Sequence, residues 1–465
     1  MARLLRRCAL PLLIASLGWG LARAELDCSS YGSTYDPPPR GAPPDAVKLK
    51  DAGFVRAKDG SAVQMKAISW FGVNDNGTAK VESLWSGGDA AALDVATIAY
   101  QLRAHGFNAL RLPFTFADLR APVKKAWERQ GCGKVTLGSG GTAPGSTGAA
   151  AAPAGGQGGA AACSWYLPDS SPLDRYLWSL QWFVANGFYV LAEFRPAGPD
   201  ATARNGAAFV DAWKWLWRRA ACLPNFREDL AGRVFVDLMG DPDAAGHRWE
   251  AVAEPDGGVV PGLTELYLAA MDALWADTPE RAVFFVEGAG QGGDDRWGSG
   301  FDTDKATIAV NEFSDPNPFF KALLKKPYRA AVVVCPHVYD NAAPPPALDA
   351  GLPPPGDGHG HGGQAPPRAA PWPAGPGPIK VMDTTFGYLA RDGYCADKDC
   401  QRFPVAVGEF TSRLANAPRL AELNAFAAQL AEEGVEYGGV GTWRFWGFED
   451  GGRAGASAGG SPGAS

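Results

Sequence analysis

The chain reads as an α/β protein, a (β/α)8 TIM-type barrel with low-complexity loop insertions, on three observations. Short apolar runs alternate with amphipathic helical patterns, the helix-to-strand junctions repeat a glycine stop, and the far ends of the apolar runs carry polar, mostly acidic residues. Such alternation of periods is the pattern of repeated β-α units around a parallel sheet.

The apolar runs lie near 63–69, 107–112, 188–194, 233–239, 282–287, 331–335, 404–408 and 438–445. Eight is the strand number of a closed barrel, which leaves no exposed edge and gathers its active site where the strands end. A doubly wound open sheet is the alternative, because strand order cannot be read from one sequence. At the junctions, Ala104-His105-Gly106-Phe107, Ala185-Asn186-Gly187-Phe188 and Glu433-Gly434-Val435 each place a glycine between a helical pattern and the next strand. There it can take the left-handed conformation that ends a helix.

Three segments, 137–162, 343–378 and 451–465, are too rich in Gly, Ala, Pro and Ser to bury apolar surface and are expected to be loops or tail. The middle one contains His359 and His361, which without a third nearby ligand read as a polar loop rather than a metal site.

The N-terminus has a charged start, an apolar run from Cys8 to Leu21 and the small-residue triplet Ala22-Arg23-Ala24, the plan of a secretory signal over residues 1–24. A membrane anchor needs ~20 apolar residues, and this run is shorter and interrupted by Pro11. The expectation is a secreted chain with one large domain over 25–450 and no membrane segment after cleavage. Removing 1–24 takes away Arg3, Arg6, Arg7 and Arg23, so 39 basic side chains face 50 acidic ones, a net charge of −11. That balance argues against nucleic acid as a partner.

Seven of the eight cysteines follow the signal, and in an oxidising compartment they read as disulfides. Cys395 and Cys400 are expected to pair, and Cys132 and Cys163 to clamp the ends of the Gly/Ala-rich insert. Cys28, Cys222 and Cys335 are an odd remainder, with Cys335, on an apolar strand, expected to be a buried thiol. A single glycosylation sequon starts at Asn76. No nucleotide-binding, zinc or calcium motif occurs, so neither cofactor nor metal is expected, and a monomer is expected.

The strand ends carry the chemistry. Glu409 follows the seventh run, Asp241 the fourth, Glu287 the fifth; His337 and Tyr339 end the sixth, Arg111 the second, and Trp443 and Trp446 the eighth. Cleaving a glycosidic bond needs two carboxyl groups, one protonated and one ionised, ~5–5.5 Å apart for retention of configuration. An Arg and a His beside Glu409 would keep it ionised, Tyr339 could donate to it, and indoles offer flat faces to sugar rings. Each piece also has a structural role open to it: a lone buried Glu can be the partner of an Arg, and Trp213, Trp215 and Trp217 on one helical pattern read as packing.

At these residues the chain resembles glycoside hydrolase family 5, in particular its cellulase-type members from algae and oomycetes. The resemblance spans about Gln64 to Trp446 and rests on Ser69-Trp70-Phe71-Gly72, Gly106-Phe107-Asn108-Ala109-Leu110-Arg111-Leu112-Pro113, Pro336-His337-Val338-Tyr339, Pro404-Val405-Ala406-Val407-Gly408-Glu409-Phe410 and Trp446. It implies retaining hydrolysis of a β-linked polysaccharide such as a β-glucan or β-mannan, with Glu409 as nucleophile and Arg111, His337, Tyr339 and Trp446 around the sugar in the −1 position.

Two places depart from the family pattern. Where the family has Asn-Glu-Pro, this chain has Gly240-Asp241-Pro242, so the acid/base is shortened to Asp241 and the Asn that would touch the sugar 2-hydroxyl is missing. Where members carry a His after the third strand, this chain has Glu193-Phe194-Arg195, which puts Arg195 roughly in that role. A shift of ~1 Å at a reacting group costs on the order of 100-fold in rate. An arginine beside Asp241 also favours its ionised form, the wrong one for a general acid. The sequence therefore supports an active β-glycan hydrolase, with a carbohydrate-binding barrel without turnover and a structural wall protein acting through its Gly/Pro-rich inserts as the alternatives.

Overall fold

The computed structural model describes residues 26–70, 95–123, 133–135, 137, 162–164, 166–196, 200–291, 298–339, 382–411 and 441–443. The predicted signal sequence, Asn76, Cys132, Trp446, the predicted tail and the two inserts, apart from Leu137 and Ala162 at the ends of the first, lie outside these residues.

Seven of the eight predicted strands have a counterpart in one parallel sheet. Its order is Val332–Val334, Phe284–Val286, Val234–Asp237, Tyr189–Phe194, Ala109–Phe114, Lys66–Ser69, Gly441–Trp443, Glu409–Thr411 and His337–Tyr339. From Lys66–Ser69 to Val332–Val334, six strands lie side by side in chain order, a curled TIM-type sheet. A doubly wound sheet would reverse that order at a switch point. The sixth predicted strand is split by Cys335 and Pro336. The seventh is shifted: residues 404–408 form no ladder but touch the sheet through a bridge from Val405 to Val334, and the ladder begins at Glu409 opposite His337. Pro404, which has no N–H to donate, opens this irregular stretch. Glu409 thus stands within the strand rather than beyond it.

Alternation along the strands divides the core into two layers, because successive side chains point to opposite faces. Leu110, Leu112 and Phe114 join the large outer cluster beneath the helices, with Phe183, Trp213 and Leu266. Ala109 joins the smaller inner cluster with Ala67, Tyr189, Leu191, Phe235, Phe285, Val333 and Cys335. Two residues further along the same inward phase stand Arg111, Glu193, Asp237, Glu287 and His337, every one buried. The inner column is therefore apolar at one end and ionic at the other.

Helix ends follow local rules. Pro172–Ala185 starts at Ser171, whose hydroxyl accepts from the Asp174 N–H at 3.0 Å, and gives way to Gly187 at φ +87°. Gly106, at φ +85°, plays the same part after Val95–Ala104. In Gly206–Ala221 the tryptophans pack, as expected: Trp213 and Trp217 are buried and donate to Leu238 O and Thr278 Oγ1 at 3.1 and 2.7 Å, while Trp215 lies 4.6 Å beneath the Arg120 guanidinium.

Cys395 pairs with Cys400, Cys28 pairs with Cys222, and Cys335 is a buried free thiol. No helix among the described residues is long and apolar enough to cross a membrane.

Candidate active site

The ionic end of the inner column is one connected cluster. Arg111 lies at its centre: Nη1 donates to Glu409 Oε2 at 2.9 Å, and Nη2 donates to Glu193 Oε1 and to Glu287 Oε1, each at 2.7 Å. Asp237 Oδ2 lies 3.9 Å from the same Nη2. Burial alone would weaken the Arg111 cation, but Glu193, Glu287 and Glu409 around it raise its pKa well above the ordinary value.

Arg195 is the second cation. Its Nη1 donates to Glu409 Oε2 at 2.9 Å and stands 3.6 Å from Glu193 Oε1, while its Nη2 is paired with Asp241 Oδ2. One guanidinium fork therefore bridges the two carboxylates that the sequence selects. His337 closes the ring, with Nδ1 at 2.8 Å from Asp241 Oδ1 and Nε2 at 2.8 Å from Glu287 Oε1. Both oxygens of Asp241 thus face cationic or hydrogen-bonding nitrogens. His337 Nε2 also lies 3.2 Å from Arg111 Nη2.

Asp241 is also held in an uncommon backbone state, φ +46°, just before Pro242. A non-glycine residue there is strained, and the strain persists only where its surroundings fix it. Here the Asp241 N–H donates to Glu287 Oε2 at 2.7 Å, and the Gly240 N–H to Phe194 O at 2.8 Å. The next carboxylate along, Asp243, stitches two loops together by accepting from Gly290 N–H at 2.7 Å and Gly298 N–H at 3.1 Å. Burial pushes its pKa up to about 6.

Five carboxyls, those of Glu193, Asp237, Asp241, Glu287 and Glu409, face the two guanidiniums, so full ionisation would leave excess negative charge in a buried volume. Protons relieve it. Burial raises the pKa of Glu193, and burial followed by the Glu287 charge raises that of Asp237 further. Two sets of donor atoms lie close enough to hold a metal ion, Asp237 with Glu287 and Cys335, and Asp241 with Glu287 and His337. Glu287 is common to both, yet its oxygens are already engaged by Arg111, His337 and the Asp241 N–H.

The structure thus links Arg111, Arg195, Asp241, His337 and Glu409 in one chain of contacts, Arg111 to Glu409, Glu409 to Arg195, Arg195 to Asp241 and Asp241 to His337. Tyr339 ends the strand beside Glu409, with its side chain outside what is described, and Trp446 lies outside the described residues altogether. Sequence reasoning gave no role to Glu193, Asp237 or Asp243, and left Glu287 an unassigned strand-end acid. The signal for Glu193 and Asp237 was a carboxylate at an inward position inside a run otherwise apolar.

No family model matches the chain, and no curated protein matches it. Among solved structures, an endocellulase from Pyrococcus horikoshii, in complex with cellotetraose, is similar at 15% identity and a TM-score of 0.49, covering 87% of this chain and 92% of that one. A mannanase catalytic domain from Streptomyces sp. SirexAA-E is similar at 12% identity and TM-score 0.40, covering 89% and 85%. The catalytic domain of a Thermobifida fusca endoglucanase, also in complex with cellotetraose, is similar at 12% and 0.41, covering 86% and 85%.

Proposed function

We propose that this chain is a secreted, retaining glycosidase-type protein of β-linked polysaccharide, endoglucanase- or mannanase-like, with Glu409 as the nucleophile and Asp241 in the acid/base position. One observation carries the reading: Glu409 is a fully buried strand carboxylate that accepts from Arg111 and from Arg195 at 2.9 Å each, across a single guanidinium from Asp241. Two donated hydrogen bonds from cations favour the ionised form, which attack on an anomeric carbon needs. The proposal includes a closed (β/α)8 barrel, supported by the Val334–Val405 bridge and the His337–Glu409 pairing, which join the two ends of the sheet order through one split strand. It takes the signal sequence, the single domain over 25–450 and the monomeric state from the sequence.

A second reading is favoured by the contacts of Asp241. A general acid must hold a proton on an oxygen that faces the leaving group, whereas Asp241 presents one oxygen to Arg195 and the other to His337. Unless substrate moves Arg195, the site binds glycan without turning it over. The deciding experiment measures reducing-sugar release from β-1,4-glucan, β-1,3-glucan and β-mannan, and calorimetric binding of their oligosaccharides, for the native protein and Glu409→Gln. A hydrolase loses roughly 1,000-fold or more of its rate in Glu409→Gln. Binding without release in both proteins establishes the second reading, and neither binding nor release refutes both.

A further inference from the structure

The departures from the family pattern, apart in sequence, meet in space. A Cβ built on Gly240 would overlap Glu193 Oε1 and stand 2.7 Å from Glu193 Cδ. The space that a side chain at 240 would enter is therefore filled by a carboxylate from the neighbouring strand. Gly240 is not among the residues with positive φ, so its backbone does not call for glycine. The space does. Nor can Glu193 swing away cheaply, since it is fully buried with Oε1 on Arg111 Nη2 at 2.7 Å. The same Oε1 lies 3.6 Å from Arg195 Nη1, and Arg195 in turn is paired with Asp241. Asp241 thus faces Arg195, and the bare Gly240 faces Glu193.

We propose that Glu193 and Gly240 are one exchange of volume between neighbouring strands, and that Glu193 is a positioning residue: it fills the space that a side chain at 240 would take and holds Arg111 and Arg195 on Glu409. This rests on the glycan reading above for its effect on binding, though not for the exchange of volume. It follows that restoring Asn at 240 by itself breaks the site, because an amide and a carboxylate compete for one place. Removing the Glu193 carboxylate at the same time lets the amide in.

The test is a cycle of Gly240→Asn, Glu193→Ala and the double variant, with Glu193→Gln and Glu193→Gln/Gly240→Asn beside them. Thermal unfolding and cellotetraose and mannotetraose affinity are measured on the full chain. Gly240→Asn is expected to lose several degrees of Tm and at least tenfold in oligosaccharide affinity. Glu193→Ala is expected to lose at least tenfold in affinity, and Glu193→Ala/Gly240→Asn to recover the Tm lost in Gly240→Asn while keeping the affinity of Glu193→Ala. Gln keeps the volume, so Glu193→Gln/Gly240→Asn is expected to remain as impaired as Gly240→Asn. Additive effects, or a Gly240→Asn protein with native Tm and affinity, overturn the exchange. Native affinity in Glu193→Ala overturns the positioning role. If no variant and no native protein binds either oligosaccharide, the glycan reading and the positioning role fall together, while the Tm pattern still decides the exchange.

Discussion

Replacing Arg111 with Met removes the charge at the centre of the cluster and keeps an unbranched apolar stem. Three carboxylates, those of Glu193, Glu287 and Glu409, lose a hydrogen bond of 2.7–2.9 Å, and Asp237 loses its neighbour at 3.9 Å. Removing one partner of a buried ion pair costs about 3–5 kcal/mol, because the other charge stays buried without compensation. For a chain of 465 residues, an unfolding entropy of ~2.1 cal/mol/K per residue gives about 1 kcal/mol/K, so the expected loss in Tm is roughly 3–5 °C. The loss should also depend on pH. Glu193 and Asp237 already have folded-state pKa values raised by burial, and Arg111 is a force that lowers both. Without it they rise further. A carboxyl whose folded value lies above its unfolded value contributes stability at low pH and loses that contribution as pH climbs through the folded value. Scanning calorimetry of native and Arg111→Met protein at pH 5 and pH 8 should show the larger deficit at pH 8. A Tm within 1 °C of native at both pH values, or a deficit that does not grow with pH, would refute this account of the cluster.

Two further outcomes follow from the same physics. The Cys28–Cys222 disulfide closes a separation of 194 residues and Cys395–Cys400 one of 5. Chain entropy assigns them about 5 and about 2 kcal/mol, so Cys28→Ala/Cys222→Ala should lower Tm clearly more than Cys395→Ala/Cys400→Ala; equal losses would contradict the entropic origin. Asp243, with its pKa pushed up to about 6 by burial, should stabilise the fold in its protonated form, most fully below about pH 4 and fading as pH rises through 6. Asp243→Asn should flatten the Tm profile between pH 4 and 7, and a profile of unchanged slope would show that this carboxyl does not titrate there.

Much of the fold was legible because it is written in local periods. The glycine at 106 and at 187 marks a helix end by its own conformational freedom, and the alternation Ala109-Leu110-Arg111-Leu112 assigns the two faces of a strand wherever that strand packs. Residue type also betrayed the site: Arg111, His337 and Glu409 are charged or titratable groups attached to otherwise apolar runs. The seventh strand was less legible, because the irregular stretch from Pro404 to Gly408 delays the ladder to Glu409, and such a delay depends on what the neighbouring strand offers rather than on the run itself.

What the sequence by itself determined, then, is which side chains face inward and which of them carry charge. Who answers whom was decided by tertiary structure, since Arg111 and Glu409 are 298 residues apart in the chain and meet only through the register of the sheet. Alternation says that Glu193 points inward; only the neighbouring strand shows it entering the space beside Gly240. Arg195 was legible as a charged residue just past an apolar run, but its place between Asp241 and Glu409 follows from the reach of a guanidinium across strand ends that no local pattern encodes.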